Sequence, residues 1–203
     1  MMHPHTELRF INHQIGFGVF ATQFIPKGTI TWVLDDLDQR LDESYVFSTP
    51  PVLRERLLKY SYRDEQGKYI LCWDIAKFVN HSFNSSNIGT AYSLELAARD
   101  IYPGEELTDD YGYFNLDKPF DCFPESGCDR TRVLPDDILR YYPEWDRKAA
   151  AAFTRFNQVD QPLKVLIDEI AWEKLVWVAS GQTPMESILN CYYDRTRPLK
   201  AVS

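Results

Sequence analysis

The residues Asn80-His81-Ser82 follow directly on the apolar pair Phe78-Val79. An apolar run that ends in this way is typical of a buried strand. A buried polar group left without a hydrogen-bond partner costs about 1–3 kcal/mol, so the asparagine and the histidine need specific partners. Two interpretations are open: a polar turn whose hydrogen bonds are satisfied within the fold, or a segment that binds a ligand.

A second run whose residue types could take part in chemistry is RDIYPGEELTDDYGYF, which contains Tyr111 and Tyr113 near its end. On a strand, a spacing of two residues puts both phenol groups on one face, although surface aromatics are the alternative. Near the start of the chain, Gly16 and Gly18 flank Phe17, and such glycines let the backbone approach a ligand closely. The pair lacks the third glycine and the following helix of a dinucleotide site, so a hairpin bend is the alternative.

A metal site has little support in the sequence. His81 is remote along the chain from the other three histidines. Cys122 and Cys128 have five residues between them, which does not match the spacing of two to four that zinc ligand pairs show. Two thiolates alone cannot close a tetrahedral zinc site. The sequence therefore predicts no structural metal.

The elements that must position these residues change in type along the chain. Short apolar or alternating runs predict strands between residues 7 and 118, most clearly at 18–25, 29–34, 68–75 and 91–101. Residues 51–60 predict one short helix, and residues 134–158 and 163–179 predict two longer ones, the last ended by Gly181. Thr183-Pro184-Met185-Glu186 matches a capping box and predicts a third helix in this part of the chain.

Composition excludes some classes of function. The chain has 203 residues, 44% of them hydrophobic, which supports a sizeable core. Its net charge of -8 argues against direct nucleic-acid binding, because neutralising phosphates needs a positive surface. No run of 18 apolar residues and no secretory signal is visible, so no membrane contact is expected. The four cysteines are then expected to be reduced thiols of an intracellular protein, cytoplasmic or, in a eukaryote, nuclear.

Taken together, the segments resemble one family. In chain order they are G-x-G-V-F-A, P-K-G-T, F-V-N-H-S, R-D-I-x-x-G-E-E-L-T-x-D-Y-G-Y and aromatic-Asp-Cys. This combination resembles the SET-domain family of protein lysine methyltransferases over about residues 7–130. The resemblance implies an α+β fold, mainly β, of small curved sheets around a pseudo-knot, in which the segment of Asn80 is crossed by that of Tyr111. We expect a SET domain at 7–118, a zinc-less segment at 119–133 and a helical extension at 134–203.

The resemblance also implies a site for S-adenosylmethionine, with S-adenosylhomocysteine as the product. Tyr111 would point at the methyl group in transfer and is the implied catalytic residue. The residues implied to hold the cofactor, besides Tyr111, are Gly16, Phe17, Gly18, Asn80, His81 and Phe120. Those implied to line the channel for the substrate lysine are Tyr113, Tyr45 and Phe114.

The amine must lose its proton before it can accept a methyl group. A dry aromatic channel disfavours the ammonium form, and a neighbouring sulfonium charge does so too. No strong general base is therefore expected, which agrees with a site that offers tyrosines rather than carboxylates.

The chain also departs from its relatives. Many of them hold one zinc with a Cys after Asn-His-Ser and three more from a later Cys-x-Cys-x4-Cys segment. Here Phe83 and Pro124 stand at two of these four positions. We expect apolar packing to close the channel in place of zinc, by the helical extension together with Phe114, Phe120 and Phe123. Asn87 lies one residue later than in the usual motif, so its role stays open.

Two functions remain open on the sequence. The first is a protein-lysine N-methyltransferase that acts on a lysine-containing protein. The second is a catalytically inactive SET-like module that binds or scaffolds. The joint presence of Asn80, His81, Tyr111 and the two glycines favours the enzyme, since a degenerate copy is expected to lose at least one of them.

Overall fold

The computed structural model describes residues 1–196. Within them the strands are β1 (Thr6–Asn12), β2 (Gly16–Ala21), β3 (Ile30–Val33), β4 (Gln39–Leu41), β5 (Ser61–Arg63), β6 (Tyr69–Leu71), β7 (Asn80–His81), β8 (Asn87–Gly89), β9 (Leu94–Ala97), β10 (Glu106–Asp109), β11 (Phe120–Asp121) and β12 (Arg132–Val133). The α-helices are α1 (Glu43–Ser48), α2 (Pro51–Tyr60), α3 (Asp137–Phe156) and α4 (Glu169–Ala179). Short 3-10 helices span Ile75–Phe78, Tyr111–Tyr113, Pro162–Leu166 and Ile188–Cys191.

The strands form four small sheets in the described chain. Their strand orders are β1-β2-β10-β7, β3-β9-β8, β4-β6-β5 and β11-β12. Neighbouring strands run antiparallel except β7 and β10, which are parallel. Small sheets combined with helices in this way confirm the predicted α+β class.

The helical extension is part of the same folded unit as the sheets. Helix α3 buries Trp145, Phe153 and Phe156 in one apolar cluster with Ile30 and Leu96 of the β3-β9-β8 sheet. A second cluster, under the β1-β2-β10-β7 sheet, includes Val19, Trp32 and Leu107. The proposed boundaries after residues 118 and 133 stay a prediction, and residues 197–203 of the third segment lie outside the described part.

Two of the predicted helices differ from the structure. The run 163–179 is divided into the 3-10 helix Pro162–Leu166 and α4, because Ile167 is extended and the Asp168 side chain caps α4 by accepting from the amide of Ala171. The capping box at 183–186 does not start a helix. The amide of Glu186 instead donates to the hydroxyl of Tyr92 (2.7 Å), which draws this segment onto the core.

Candidate active site

The pairing of β7 with β10 brings two distant segments together. Thr108 pairs with Asn80 and Asp109 with His81, in parallel register. Tyr111 follows β10 directly: its amide donates to Nδ1 of His81 (3.1 Å), and its hydroxyl donates to the carbonyl oxygen of Val79 (2.7 Å). The expected side-by-side placement of Asn80 and Tyr111 is therefore present in the structure.

The side chain of His81 is held by contacts within the protein. Because Nδ1 accepts the Tyr111 amide, the neutral ring carries its proton on Nε2. Burial lowers the pKa of His81, which favours this neutral form. Its ring lies edge-on to Phe83, with centroids 4.4 Å apart, and close to the ring of Phe120 at 6.2 Å. A ligand would thus meet the backbone of His81 rather than its ring.

Asn80 is tied to the glycine pair of β2. Its side-chain nitrogen Nδ2 donates to the carbonyl oxygen of Phe17 (3.0 Å) and to Oε1 of Glu106 (2.7 Å). A Cβ at position 18 would lie 2.3 Å from Glu106 Oε1 and 3.0 Å from Asn80 Nδ2, so a larger residue there would displace the Glu106 carboxylate from its contact with Asn80. Gly16 has a φ of +91°, and no atom lies within 4 Å of the place where a Cβ would stand. Four of the predicted cofactor residues therefore form one local cluster.

Beside this cluster lies a cavity of about 970 Å³. Its size is at the upper end of the roughly 300–1,000 Å³ of small-molecule sites. Of the residues implied by the sequence, Tyr111, Phe114 and Phe120 line it. Gly16–Gly18, Asn80 and His81 are not among its lining residues, but the His81 ring lies next to two that are, with centroids 5.3 Å from Tyr111 and 6.2 Å from Phe120.

Tyr111 and Tyr113 diverge, so the expectation that both phenols share one face is wrong. They lie on a 3-10 helix rather than a strand, and its three residues per turn send side chains two apart in different directions. Tyr111 faces the cavity. Tyr113 is buried against Trp145, donates its hydroxyl to Asp109 Oδ1 (3.3 Å) and lines a smaller neighbouring cavity. Tyr45 lies on α1, is 56% exposed, and is not among the lining residues of either cavity.

Two carboxyl groups stand on the cavity wall, where only tyrosines were expected. Glu95 of β9 and Asp109 of β10 both line the cavity and are both buried. Burial raises the pKa of Glu95 well above its usual range, and the neighbouring Asp109 adds to this shift. Burial also raises the pKa of Asp109, to about 7, although hydrogen bonds to this carboxylate oppose the shift. The available signal was Glu95 itself, an acidic residue between Leu94 and Leu96 in an otherwise apolar run.

The segment after β11 is fastened to the Asn80 segment by hydrogen bonds. The carboxylate of Glu125 accepts hydrogen bonds from the Ser82 hydroxyl (2.9 Å), the Phe83 amide (3.0 Å) and the Asn84 amide (3.2 Å). The side-chain nitrogen Nδ2 of Asn84 donates to the carbonyl oxygen of Ser126 (3.3 Å). These bonds join the two segments that zinc joins in the relatives described above.

Arg130 makes the second fastening. Its guanidinium pairs with the buried carboxylates of Asp110 and Asp137, the latter at 2.9 Å. It lies 4.3 Å from the ring centre of Phe83 and 4.1 Å from that of Tyr141. The expectation of purely apolar packing was therefore incomplete: Phe83 is buried, but beneath an arginine that two carboxylates hold.

The aromatic residues proposed to close the channel differ in position. Phe114 lies inside, stacked on Tyr62 with centroids 5.2 Å apart. Phe120 lines the cavity and is 45% exposed, whereas Phe123 is 64% exposed and not among the lining residues. Within residues 1–196 no group of three or more His, Cys, Asp and Glu side chains is arranged to hold a metal ion. The absence of zinc stays a prediction, which one zinc per chain in metal analysis would contradict.

The helical extension supports the tyrosine turn from below. Trp145 of α3 donates its indole N–H to Asp110 Oδ2 (3.2 Å). A Cβ at Gly112 would lie 2.8 Å from the Trp145 ring, so the helix packs directly on the Tyr111–Tyr113 turn. Farther along, Tyr193 and Arg195 line the cavity. Sequence reasoning missed this role, because α3 follows the tyrosines by more than 20 residues and its partner surface is not visible in a linear pattern.

Comparisons with known proteins give one family. Residues 16–112 match a family model described as the SET domain. No curated protein matches the chain. Among solved structures, the chain is similar to a Plasmodium falciparum protein with a provisional designation as a histone methyltransferase, at 17% identity and a TM-score of 0.40, covering 54% of this chain and 95% of that one. It is also similar to the methyltransferase domain of human histone-lysine N-methyltransferase SETMAR, at 21% identity and a TM-score of 0.42, covering 64% of this chain and 58% of that one. Within the described residues, no helix combines the length and the apolar character needed to cross a bilayer.

Proposed function

We propose that the chain, whose residues 16–112 match the SET-domain family model, is a protein-lysine N-methyltransferase that uses S-adenosylmethionine. SET domains are generally methyltransferase domains. The donor, the lysine substrate and the role of each residue below are parts of this proposal.

The observation that carries the proposal is the placement of Tyr111. Its hydroxyl oxygen and the carbonyl oxygen of Val79 lie 2.7 Å apart, and both residues line the large cavity. Oxygens of this kind accept weak hydrogen bonds from polarised C–H groups, worth about 0.5–1 kcal/mol each. A methyl group bound to a cationic sulfur is such a group, so this pair of oxygens suits methyl transfer.

The residues present fit S-adenosylmethionine. Gly16 leaves open space on the backbone, and Asn80 is held in one orientation by its two hydrogen bonds. We assign the cofactor to the backbone of Gly16–Gly18, the side chain of Asn80, the backbone of His81 and the ring of Phe120. When bound, the cofactor supplies a methyl group activated by a positive sulfur.

We assign the substrate to the other side of the cavity. Residues of α1 and α2, among them Phe47 and Leu58, line that side, with Phe114 inside. In this proposal Tyr113 would support the substrate channel from the buried side of the tyrosine turn, and Tyr45 would contact the substrate from the exposed face of α1. The net charge of -8 favours a basic, lysine-rich protein segment as partner. An intracellular site of action is part of the proposal, because all four cysteines are unpaired and disulfides are rare inside cells.

The proposal is tested in two steps. Calorimetry with S-adenosylmethionine should give saturable binding, and tritium-labelled cofactor should label lysines in a mixed protein extract. Tyr111→Phe should lower the transfer rate about two- to fivefold, the equivalent of one lost contact of about 0.5–1 kcal/mol, while leaving cofactor affinity nearly unchanged. The control is Tyr102→Phe, at an exposed tyrosine away from the cavity. A chain that binds no cofactor would instead support the inactive binding module.

A further inference from the structure

Three strands bring polar side chains to one part of the cavity wall. Trp32 of β3 lies opposite Glu95 of β9 in the antiparallel register, so their side chains point to the same face. Asp109 of β10 joins them, and all three line the cavity that Tyr111 also lines. This group, Trp32, Glu95 and Asp109, is called the acidic wall below.

The acidic wall lacks a lysine or arginine partner in the described part of the chain. Within residues 1–196, no ion pair to lysine or arginine includes Glu95 or Asp109. The neighbouring Asp110 differs sharply, because Arg130 pairs with it. Trp32 is only 7% exposed, and its indole N–H finds no hydrogen-bond partner among the described residues. The polar groups here are thus incompletely matched by the protein itself.

The charge state of the acidic wall follows from its neighbours. Two adjacent buried carboxyl groups do not both ionise at neutral pH, so the pair holds a proton and is best described as one titrating unit. The Tyr113 hydroxyl donates to Asp109 (3.3 Å). The other titratable groups that face the pair electrostatically are Tyr62, Cys72, Asp110, Tyr111 and the amino group of Met1.

We propose that Glu95 and Asp109 receive the cationic amine of the substrate and take its proton before methyl transfer. This rests on the proposed function and deepens it, since it adds an acid–base group to a site expected to have none. In the step, an N–H bond of the ammonium breaks and an O–H bond forms on the carboxyl pair. The freed lone pair on nitrogen forms the N–C bond while the carbon–sulfur bond breaks, its electrons staying on sulfur. The carboxyl pair then releases the proton to solvent.

The chemistry of the pair suits this role. An acceptor whose pKa is raised by burial lies closer to that of an amine than an ordinary carboxylate does, and it takes the proton more favourably. A single shared negative charge also attracts an ammonium ion into an apolar cavity, where an unpaired cation would otherwise be excluded.

The first arm of the test measures amine binding without any methyl transfer. The variants are Asp109→Asn and Glu95→Gln, and the control is Asp38→Asn, which alters a buried carboxyl outside the cavity. Binding of n-butylamine at neutral pH, followed by NMR titration, should weaken at least tenfold in both variants and not in the control. Uncharged n-butanol should bind all four proteins alike. Equal n-butylamine binding by wild type and both variants would overturn the inference.

The second arm uses the pH dependence of transfer with labelled S-adenosylmethionine. At pH 7 each variant should be at least tenfold slower than wild type, and the deficit should shrink towards about pH 10, where solvent deprotonates the amine. A deficit that is the same at every pH would mean a merely structural role and would also overturn the inference. If wild type binds cofactor but methylates nothing, the proposed function fails, and the n-butylamine arm still decides whether the acidic wall is an amine site.

Discussion

Arg130 offers the sharpest test of how the segment after β11 is held. Its side chain is 17% exposed, and the two carboxylates it pairs with, Asp110 and Asp137, are each 2% exposed. Arg130→Ala would leave two buried carboxylates without their cation. Removing one partner of a buried ion pair costs about 3–5 kcal/mol, because the remaining charge is uncompensated.

For a chain of this length, 1 kcal/mol changes the melting temperature by about 2–4 °C. Arg130→Ala is therefore expected to lower the Tm by about 6–20 °C, measured by circular dichroism, with a matching decrease in the free energy of unfolding in urea. Because Asp110 also accepts the Gly112 amide (3.0 Å) at the tyrosine turn, cofactor affinity should weaken as well.

Arg132→Ala is the matched control. Arg132 pairs with Asp121 on the same segment, but the two side chains are 54% and 78% exposed. Exposed pairs contribute about 0–1 kcal/mol, so this variant should melt close to wild type. Adding Asp110→Asn to Arg130→Ala should recover part of the loss, since one unpaired charge is removed. A loss below about 1 kcal/mol for Arg130→Ala, or equal losses for both arginines, would refute the reasoning.

Three further outcomes are expected. Gly18→Ala should destabilise by about 0.5–1.5 kcal/mol in urea unfolding, because its Cβ would displace the Glu106 carboxylate and cost the hydrogen bond from Asn80; wild-type stability would contradict the packing described for Asn80. Glu125→Ala should cost about 1–3 kcal/mol by removing the acceptor of three hydrogen bonds, and an unchanged Tm would mean that the segment is held otherwise. The stability of Asp109→Asn relative to wild type should improve as pH rises from about 4 through 7. The pKa of Asp109 is higher in the folded protein than in the unfolded chain, so its protonated form stabilises the wild-type fold. This stabilisation is fully present below the pKa of the unfolded state and is lost as the pH rises through the pKa of the folded state. A stability difference that does not depend on pH would refute this.

The helical extension gives the fold a feature that its family assignment does not describe. Trp145 bonds Asp110 and packs on Gly112, so α3 supports the turn that carries Tyr111. Arg130 links the same Asp110 to Asp137 at the start of α3. The extension and the Glu125 contacts together hold the segment after β11.

The sequence by itself predicted the match to the SET-domain model over residues 16–112, the α+β class and the pairing of the Asn80 and Tyr111 segments. These features rest on local motifs whose residue types are tightly constrained, such as Gly18, which must leave room for Asn80 and Glu106. Periodicity also predicted the main strands and the helix at 51–60, since apolar alternation and helical spacing are local properties.

Only the tertiary structure decided what surrounds the motifs. A spacing of two residues suggested that Tyr111 and Tyr113 face the same way, but the 3-10 turn, capped by Asp110 and packed on Trp145, separates them. The acidic wall joins Glu95 and Asp109 from strands that are not adjacent in sequence, and the pKa of each depends on burial that no linear pattern reveals. Contacts between residues distant along the chain arise from packing of the whole fold, and for that reason they become visible only in three dimensions.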